Sequence, residues 1–482
     1  MDFINTRNVA ESLSASQSIL QGLATNGGLF VPMEIPRANI NEMSKLTNYT
    51  SHAMWVLKQF FTDFTEEELL KCVEGAYNLN NFDTQEIAPV KQFADISFLE
   101  LFHGRTLAFK DMALSLLPHL VSCSLKKNKN PKKQVILTAT SGDTGIATME
   151  GFKDIENMQV IVFYPENGVS YVQKKQMITH AGKNVVAVGV KGNFDDAQSE
   201  VKRIFLDENL REQLNQSGYE FASANSINVG RLIPQVAYYF YAYSKLVAEK
   251  MPFGEEISFI VPTGNFGNIL AGYYAKKMGL PIKKLICASN ENNVLYEFFT
   301  SGKLDSNREL ILTSSPSMDI LLPSNFERLV FDLHGKRGAK DALDTLAKKG
   351  CFNYANEMPE FEGFYASEKE VSTAIKNVYD KYNYLIDPHT AVAYVANEKY
   401  NGKEKRVIVS TASPYKFAKT VMTSLDEKHK QDEEIDLIKF IAAKKSENPP
   451  AQVANLQSKD VLHTDVVAIG DMKGFVKNRL LS

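Results

Sequence analysis

The chain has little of what marks several common classes of protein. Its 482 residues include only four cysteines (Cys72, Cys123, Cys287, Cys351), widely spaced, with no CxxC pair and no histidine at metal-ligand spacing. That excludes a disulfide framework and a thiolate metal site, and it reads as reduced thiols in a cytosolic protein. Charge of one sign is missing too: 54 Lys and Arg against 57 Asp and Glu leave a formal net charge of −3, so no field draws the chain to nucleic acid or an anionic membrane. No apolar run approaches the roughly 20 residues of a membrane span, and the opening MDFINTRNVAES lacks the apolar core of a signal peptide. There is no internal repeat and no low-complexity tract. The expectation is a soluble intracellular protein of two or three domains.

What is present is an alternation of short β-branched runs with helical stretches, punctuated by glycine. Residues 134–140 (QVILTAT), 158–165 (MQVIVFYP) and 184–190 (NVVAVGV) read as strands, with helices from 146 and over 170–180 between them. That order implies right-handed crossovers and a parallel sheet covered on both faces. The pattern returns at 257–262 (ISFIVP), a helix over 269–278 stopped by Gly279 and Pro281, a strand at 284–289 (KLICAS) and a last one at 406–410 (RVIVS). Two α/β/α lobes around a cleft follow, since ligands bind beyond the carboxyl ends of parallel strands. The first 85 residues read as mostly helical, the catalytic region as 86–425 with its small lobe at about 132–215, and 426–482 as a peripheral helical tail. The amphipathic stretch 65–77 (TEEELLKCVEGAY) reads as a core-packing helix.

Three loops could carry chemistry. Lys110 follows Thr-Leu-Ala-Phe and precedes Asp111 and a hydrophobic helix; held against apolar surface, a lysine becomes a usable amine nucleophile, although a snorkelling lysine at a helix start explains the same pattern. The stretch 263–268 (TGNFGN) joins a strand to a helix, where free amides and the positive helix end bind phosphate; it is neither GxxxxGKS nor GxGxxG, and a ligand-free tight turn fits it as well. The stretch 141–145 (SGDTG) offers amides and two hydroxyls to an anion, or is simply a helix N-cap made by Asp143 or Thr144.

Together with other segments these loops resemble threonine synthases, fold-type-II pyridoxal-phosphate enzymes. HGRTLAFKD at 103–111, TATSGDTG at 138–145, SANSINVGR at 223–231 and PTGNFGNILAG at 262–272 follow in the family's order. So do SNENNVLYEFFTSG at 289–302, SPSMDILLPSNFERL at 315–329, DPHTAVA at 387–393 and STASPYKF at 410–417, and the opening TR at 6–7 with GLATNGGLFVP at 22–32 is similar to the family's beginning. The likeness covers roughly residues 1–420.

The resemblance implies that Lys110 carries pyridoxal phosphate as a Schiff base, that Gly264, Asn265, Phe266, Gly267 and Asn268 hold the cofactor phosphate, and that the Thr411 hydroxyl bonds the pyridine nitrogen. Ser141, Gly142, Asp143 and Thr144 would receive the substrate carboxylate. The implied reaction takes O-phospho-L-homoserine and water to L-threonine and phosphate, as the last step of threonine biosynthesis, with no metal and with Lys110 moving the Cα proton. The leaving phosphate needs an anion site, for which Asn225, Ser226, Asn228 and Arg231 are the candidates. His103 and His389 are each either functional or packed histidines. Five positions depart from the family's pattern: Ser413 for His, Tyr415 for Ala, Val229 for an aromatic, and Thr25-Asn26 for Pro-Asp. A phospholyase or dehydratase relative shares the lysine and the phosphate loop; a non-catalytic descendant would have lost one of them. Monomer and homodimer are both compatible with the family.

Overall fold

In the computed structural model, which describes residues 1–481 apart from the side chains of residues 195, 336 and 337, the two strand-rich regions become two separate sheets. The larger has six strands in the order Phe361–Tyr365, Ile282–Ser289, Ile257–Pro262, Lys405–Ser410, Ser97–Glu100 and Val90–Gln92. All are parallel except the last, an antiparallel edge. Ile257–Pro262 is buried throughout, the mark of a strand covered on both faces. Its successive side chains feed different cores: Phe259 and Val261 join one cluster with Val407 and Val409, while Ile260 joins another with Ile286 and Ile408.

The smaller sheet has five parallel strands in the order Val466–Ala468, Val185–Lys191, Met158–Pro165, Lys133–Ala139 and Tyr219–Ala222. Helix Val229–Ala248 leads back to the large sheet and is buried over most of its length, packed between helices Tyr49–Phe60 and Gly267–Met278. The expected parallel, doubly covered architecture is therefore present.

The N-terminal region is helical as expected and also carries a small sheet: Phe3–Asn5 pairs antiparallel with both Asn8–Leu13 and Phe30–Pro32, and helix Ala15–Gln21 lies between the last two in sequence. One expectation needs correction: the tail is not merely peripheral and helical. Val466–Ala468 adds an edge strand beside Val185–Lys191, and helix Met472–Leu481 buries Met472, Val476 and Leu480 in the small lobe's own core with Val188, Val190 and Phe163. The small lobe thus draws on residues far beyond 215, because three residues of strand are too few to show a period. Val476→Asp would place an unpaired carboxylate there and is expected to cost about 3 kcal/mol. Hydrogen exchange would show it as faster opening of Val185–Lys191, with Ile257–Pro262 unaffected.

The stretch 65–77 forms helix Glu66–Ala76, opened by a capping box between Thr65 and Glu68 and burying Leu69, Cys72, Val73 and Ala76, in keeping with the core reading.

Candidate active site

Lys110 is delivered by a loop that leaves strand Ser97–Glu100 at its carboxyl end. The loop folds back because the Thr106 amide and hydroxyl both donate to the Asp111 carboxylate, at 2.8 and 2.7 Å. Gly104 is needed there, since a Cβ would lie 2.4 Å from that of Asp111. The Phe109 amide then donates to the Thr411 carbonyl at 2.8 Å, tying Lys110 to the end of strand Lys405–Ser410. The Lys110 side chain is 11% exposed, with Nζ 3.5 Å from Asp143 Oδ2 and 3.4 Å from Ser317 Oγ. Burial pushes its amine below the usual lysine range; Asp143 opposes this, and the cations Lys416 and Arg231 add to it.

The 141–145 loop caps strand Lys133–Ala139 from the small lobe. Thr140 Oγ1 accepts from the amides of Gly142 and Gly145, both at 2.9 Å. Gly142 has φ 132°, and a Cβ on it would come within 2.4 Å of Gln173, so only glycine fits. Asp143 is no N-cap. Its Oδ1 meets Lys416 Nζ at 2.5 Å and accepts from Gln173 Nε2 at 2.9 Å, while its Oδ2 faces Lys110. Burial works against that charge, but Lys416 and Lys110 together hold the carboxyl well below its usual range. Ser141 and Thr144 line the cavity around Lys110.

The 264–268 loop brings in the large lobe. Phe266 sits in the left-handed region at φ 66°, its ring packed on Phe299, Phe326 and Phe361. Gly264 lies against the Ser317 segment, where a Cβ would be 2.4 Å from the Ser317 carbonyl. Helix Gly267–Met278 starts with no side-chain cap, so its first amides are free for an anion. Asn265 lines the cavity and accepts from the Ser324 hydroxyl at 3.0 Å. Asn268 is buried, its Oδ1 accepting from Tyr238 and Tyr239 at 2.7 and 2.8 Å and its Nδ2 without a partner.

Of the four candidates in 223–231, Asn225 and Ser226 line the cavity; Asn225 accepts from the Thr138 hydroxyl and Ser226 from Asn325 Nδ2. Asn228 is not brought there. Its side chain caps helix Val229–Ala248 through the Gly230 amide at 2.8 Å and donates to the carbonyls of Ile19 and Ser223. Arg231 is buried without a carboxylate partner: Nη1 donates to the Ala224 carbonyl at 2.7 Å, and Nε has no partner. Burial brings its guanidinium down to about 10, against a smaller opposing effect of Tyr238.

Several functional residues were not singled out from sequence. Lys416 is fully buried between Tyr415 and Phe417, the same apolar flanking that drew attention to Lys110. Ser317 and Ser324 lie within the 315–329 segment, whereas Gln173 carries no local signal. Tyr415 turns the other way, its hydroxyl 3.1 Å from Glu447 in the tail, and Ser413 is held by its amide to the Leu107 carbonyl at 3.0 Å. Val229 is a buried core residue, and Asn26 accepts from the Gly28 amide at 2.9 Å. Ser413, Tyr415, Val229 and Asn26 are thus accommodated by packing and turns.

The two histidines separate cleanly. His389 Nδ1 donates to Asp387 at 2.7 Å, which leaves Nε2 to accept from the Ser317 amide at 3.2 Å. The pair thereby fixes the serine that faces Lys110. Asp387→Asn, with an amide nitrogen facing Nδ1, would favour the other tautomer and set two donors against each other at Ser317. We expect a cost of about 2 kcal/mol from the unmade buried bond and a fall of roughly tenfold in turnover, read by urea unfolding and steady-state rates. His103 is away from the cavity, its two ring nitrogens 2.7 and 2.8 Å from Asp83 and Glu100. Burial disfavours the charged ring, but the two carboxylates outweigh it and raise His103 from 6.5 to about 9. A raised pKa means that this contribution to stability is complete below about pH 6.5 and is lost as pH climbs through about 9. The stability gap between the native chain and His103→Gln should accordingly shrink between those two pH values in urea titrations.

The site fits a phosphorylated aldehyde cofactor. A buried amine of lowered basicity shares its cavity with Asn265, just before an uncapped helix start, and feels a guanidinium whose Nε has no partner, while Thr411, 5% exposed, follows the adjacent strand. The inner cavity of about 80 Å³ adjoins one of about 330 Å³ through Gln198, Asn225, Ile227 and Ser324.

Comparison with known proteins gives the family and its cofactor. The family profile described as pyridoxal-phosphate dependent enzyme matches residues 94–412, and that described as threonine synthase N terminus matches residues 2–77. Threonine synthase-like 1 of Homo sapiens is 40% identical over 453 residues, 88% of this chain and 60% of that protein; the chain thus spans about three fifths of the length of such relatives. Threonine synthase of Pseudomonas aeruginosa is 37% identical over 87% of this chain and 90% of its own. The crystal structure of pyridoxal-phosphate-bound threonine synthase from Brucella melitensis superposes with a TM-score of 0.86 at 34% identity, over 100% of this chain and 98% of that one. On the strength of both profiles and these relatives, the chain belongs to the pyridoxal-phosphate dependent enzymes of the threonine synthase family.

Proposed function

We propose that the chain is a threonine synthase, a carbon–oxygen lyase converting O-phospho-L-homoserine and water to L-threonine and phosphate. The observation that carries this reading is one buried lysine of lowered basicity in a cavity lined by Asn265, of the loop before the uncapped helix Gly267–Met278, and by Asn225 and Ser226, with Arg231 near enough to act on its charge. A phosphorylated cofactor and a phosphorylated substrate need two anion sites, and these two groups of residues supply the donors.

Lys110 would hold pyridoxal phosphate, with the 264–268 loop on its phosphate and the Thr411 hydroxyl at its ring nitrogen. When bound, the cofactor supplies the electron sink that makes a proton next to the amino group removable. The Ser141 and Thr144 hydroxyls orient the substrate carboxylate. The Lys110 amine would take the Cα proton; its lowered basicity suits a group that must both accept and return a proton near neutral pH. Loss of a Cβ proton lets the phosphate leave Cγ, where Asn225, Ser226 and Arg231 would hold it; Cγ then gains a proton, water adds at Cβ, and Lys110 would return the proton to Cα. Ser317, fixed by His389, keeps the Lys110 amine oriented between steps. Among the described residues no helix is long and apolar enough to cross a membrane. We assign the activity to the cytoplasm by likeness to the enzymes of the family.

The test is a substrate panel. O-Phospho-L-homoserine should turn over with kcat/KM about 10³-fold or more above homoserine, serine, threonine and phosphoethanolamine, because a site built to bond the phosphate leaves buried donors unpaired without it. Preferred release of a keto acid from serine or threonine, or of phosphate from phosphoethanolamine, would replace this reading with a dehydratase or a phospholyase.

A further inference from the structure

Two lysines share one carboxylate beside the reacting centre, one on each oxygen. Asp143 Oδ1 meets Lys416 Nζ at 2.5 Å, and Asp143 Oδ2 lies 3.5 Å from Lys110 Nζ. Lys416 is 0% exposed, and its ammonium also donates to the Thr106 carbonyl at 2.8 Å. Thr106 in turn holds Asp111, the residue after Lys110, by two hydrogen bonds. One buried cation therefore ties together segments 103–111, 138–145 and 410–417, which are remote in sequence.

We propose that Lys416 is a positioning residue for Lys110: it neutralises Asp143, so that the carboxylate orients the Lys110 amine without trapping it as an ammonium ion. The inference rests on the reading of Lys110 as the reactive amine and deepens it. With Lys416 in place, the cluster is neutral when Lys110 is an uncharged base. Without Lys416, a buried carboxylate is left whose nearest available counter-ion is Lys110, and an opposite charge at that distance favours the protonated amine. The other charged groups around Lys110 do not take over this role. Arg231 approaches from helix Val229–Ala248 but is a cation, which repels a charge on Lys110. Asp111 is turned to Thr106, and His389 faces the Ser317 amide and Asp387. Gln173 donates to the same Oδ1 as Lys416 and carries no charge to replace it. A lysine is suited to the place because its compact ammonium fits a closed site between one carboxylate oxygen and one carbonyl.

The experiment is competitive labelling of Lys110 with acetic anhydride in the cofactor-free protein, across roughly pH 6 to 11, followed by mass spectrometry. The free amine takes the acetyl group, acetate leaves, and the amine proton goes to solvent, so the pH midpoint reports the basicity of Lys110 without cofactor or turnover. In Lys416→Met the midpoint should rise by about one pH unit or more, about tenfold less free amine at a given lower pH. Asp143→Asn should lower the midpoint, and the double variant Lys416→Met with Asp143→Asn should return it towards the native value. A merely structural Lys416 would instead raise labelling at every pH by loosening the site, with the midpoint unmoved, and that result overturns the proposal. If Lys416→Met does not fold, Asp143→Asn decides: an unchanged or raised midpoint sinks the idea. Failure of the native protein on O-phospho-L-homoserine would sink the functional reading but leave the midpoint shifts as they are, so the two can fail separately.

Discussion

Replacing Lys110 by alanine should lower turnover by about 10³-fold or more and abolish covalent attachment of pyridoxal phosphate. Two losses combine. The amine that would anchor the cofactor is gone, and so is the group placed to move the Cα proton, a role worth typically 10²- to 10⁴-fold by itself. Folding should suffer little. The lysine is a buried base whose ammonium form is disfavoured, and its aliphatic stem is replaced by a small cavity. Asp143 keeps Lys416 and Gln173 as partners, so no charge is stranded. An unchanged unfolding midpoint with no cofactor absorbance at the edge of the visible range is the expected pair of results. Residual cofactor linkage would show that another lysine does the work, and Lys416, the second lysine on Asp143, would be the first to examine.

Arg231→Met should lower kcat/KM for the phosphorylated substrate by about 10²-fold, the equivalent of about 3 kcal/mol for a lost charge-assisted bond. Stability should change much less. The guanidinium is buried with no carboxylate and an unpartnered Nε, an arrangement that costs free energy in the empty site and is relieved by an apolar side chain of similar size. The one bond lost is that to the Ala224 carbonyl. Activity falling while the fold holds is the signature of a group kept for a ligand. Cofactor absorbance supplies the control: if it disappears along with activity, Arg231 serves the cofactor phosphate rather than the leaving one.

Much of this arrangement is legible in the chain itself, for local reasons. Strands such as Met158–Pro165 and Ile257–Pro262 are continuous apolar runs ended by a turn, which is how a parallel strand covered on both faces must look. The loops at 141–145 and 264–268 stand out because a backbone that approaches a ligand between strand and helix needs glycine, and Gly142 at φ 132° meets that need. The resemblance to threonine synthases then connected segments whose individual meaning was open.

What stayed hidden depends on distance along the chain. Ser97–Glu100 and Val466–Ala468 are too short to show a period, and their pairing is a tertiary fact. Asp143 reads either as a helix cap, since a short carboxylate can bond the first free amides, or as part of the loop that receives the substrate carboxylate; it is the shared counter-ion of two lysines, one of them 273 residues further on in the sequence. Asn228 failed the opposite way. It sits in a segment rich in phosphate-binding residue types, yet its amide is committed to starting its own helix and to the Ile19 and Ser223 carbonyls. Residue type proposed both roles, and only packing could assign them.

The measurement that tests the central claim most directly is the fate of oxygen when purified protein, loaded with pyridoxal phosphate, acts on O-phospho-L-homoserine in ¹⁸O-water. A lyase that breaks the carbon–oxygen bond and adds water at the neighbouring carbon predicts equal amounts of threonine and phosphate, with the label in the threonine hydroxyl and none in the phosphate. Homoserine as product, with the label in the phosphate, would mean cleavage of the phosphorus–oxygen bond and would contradict the account.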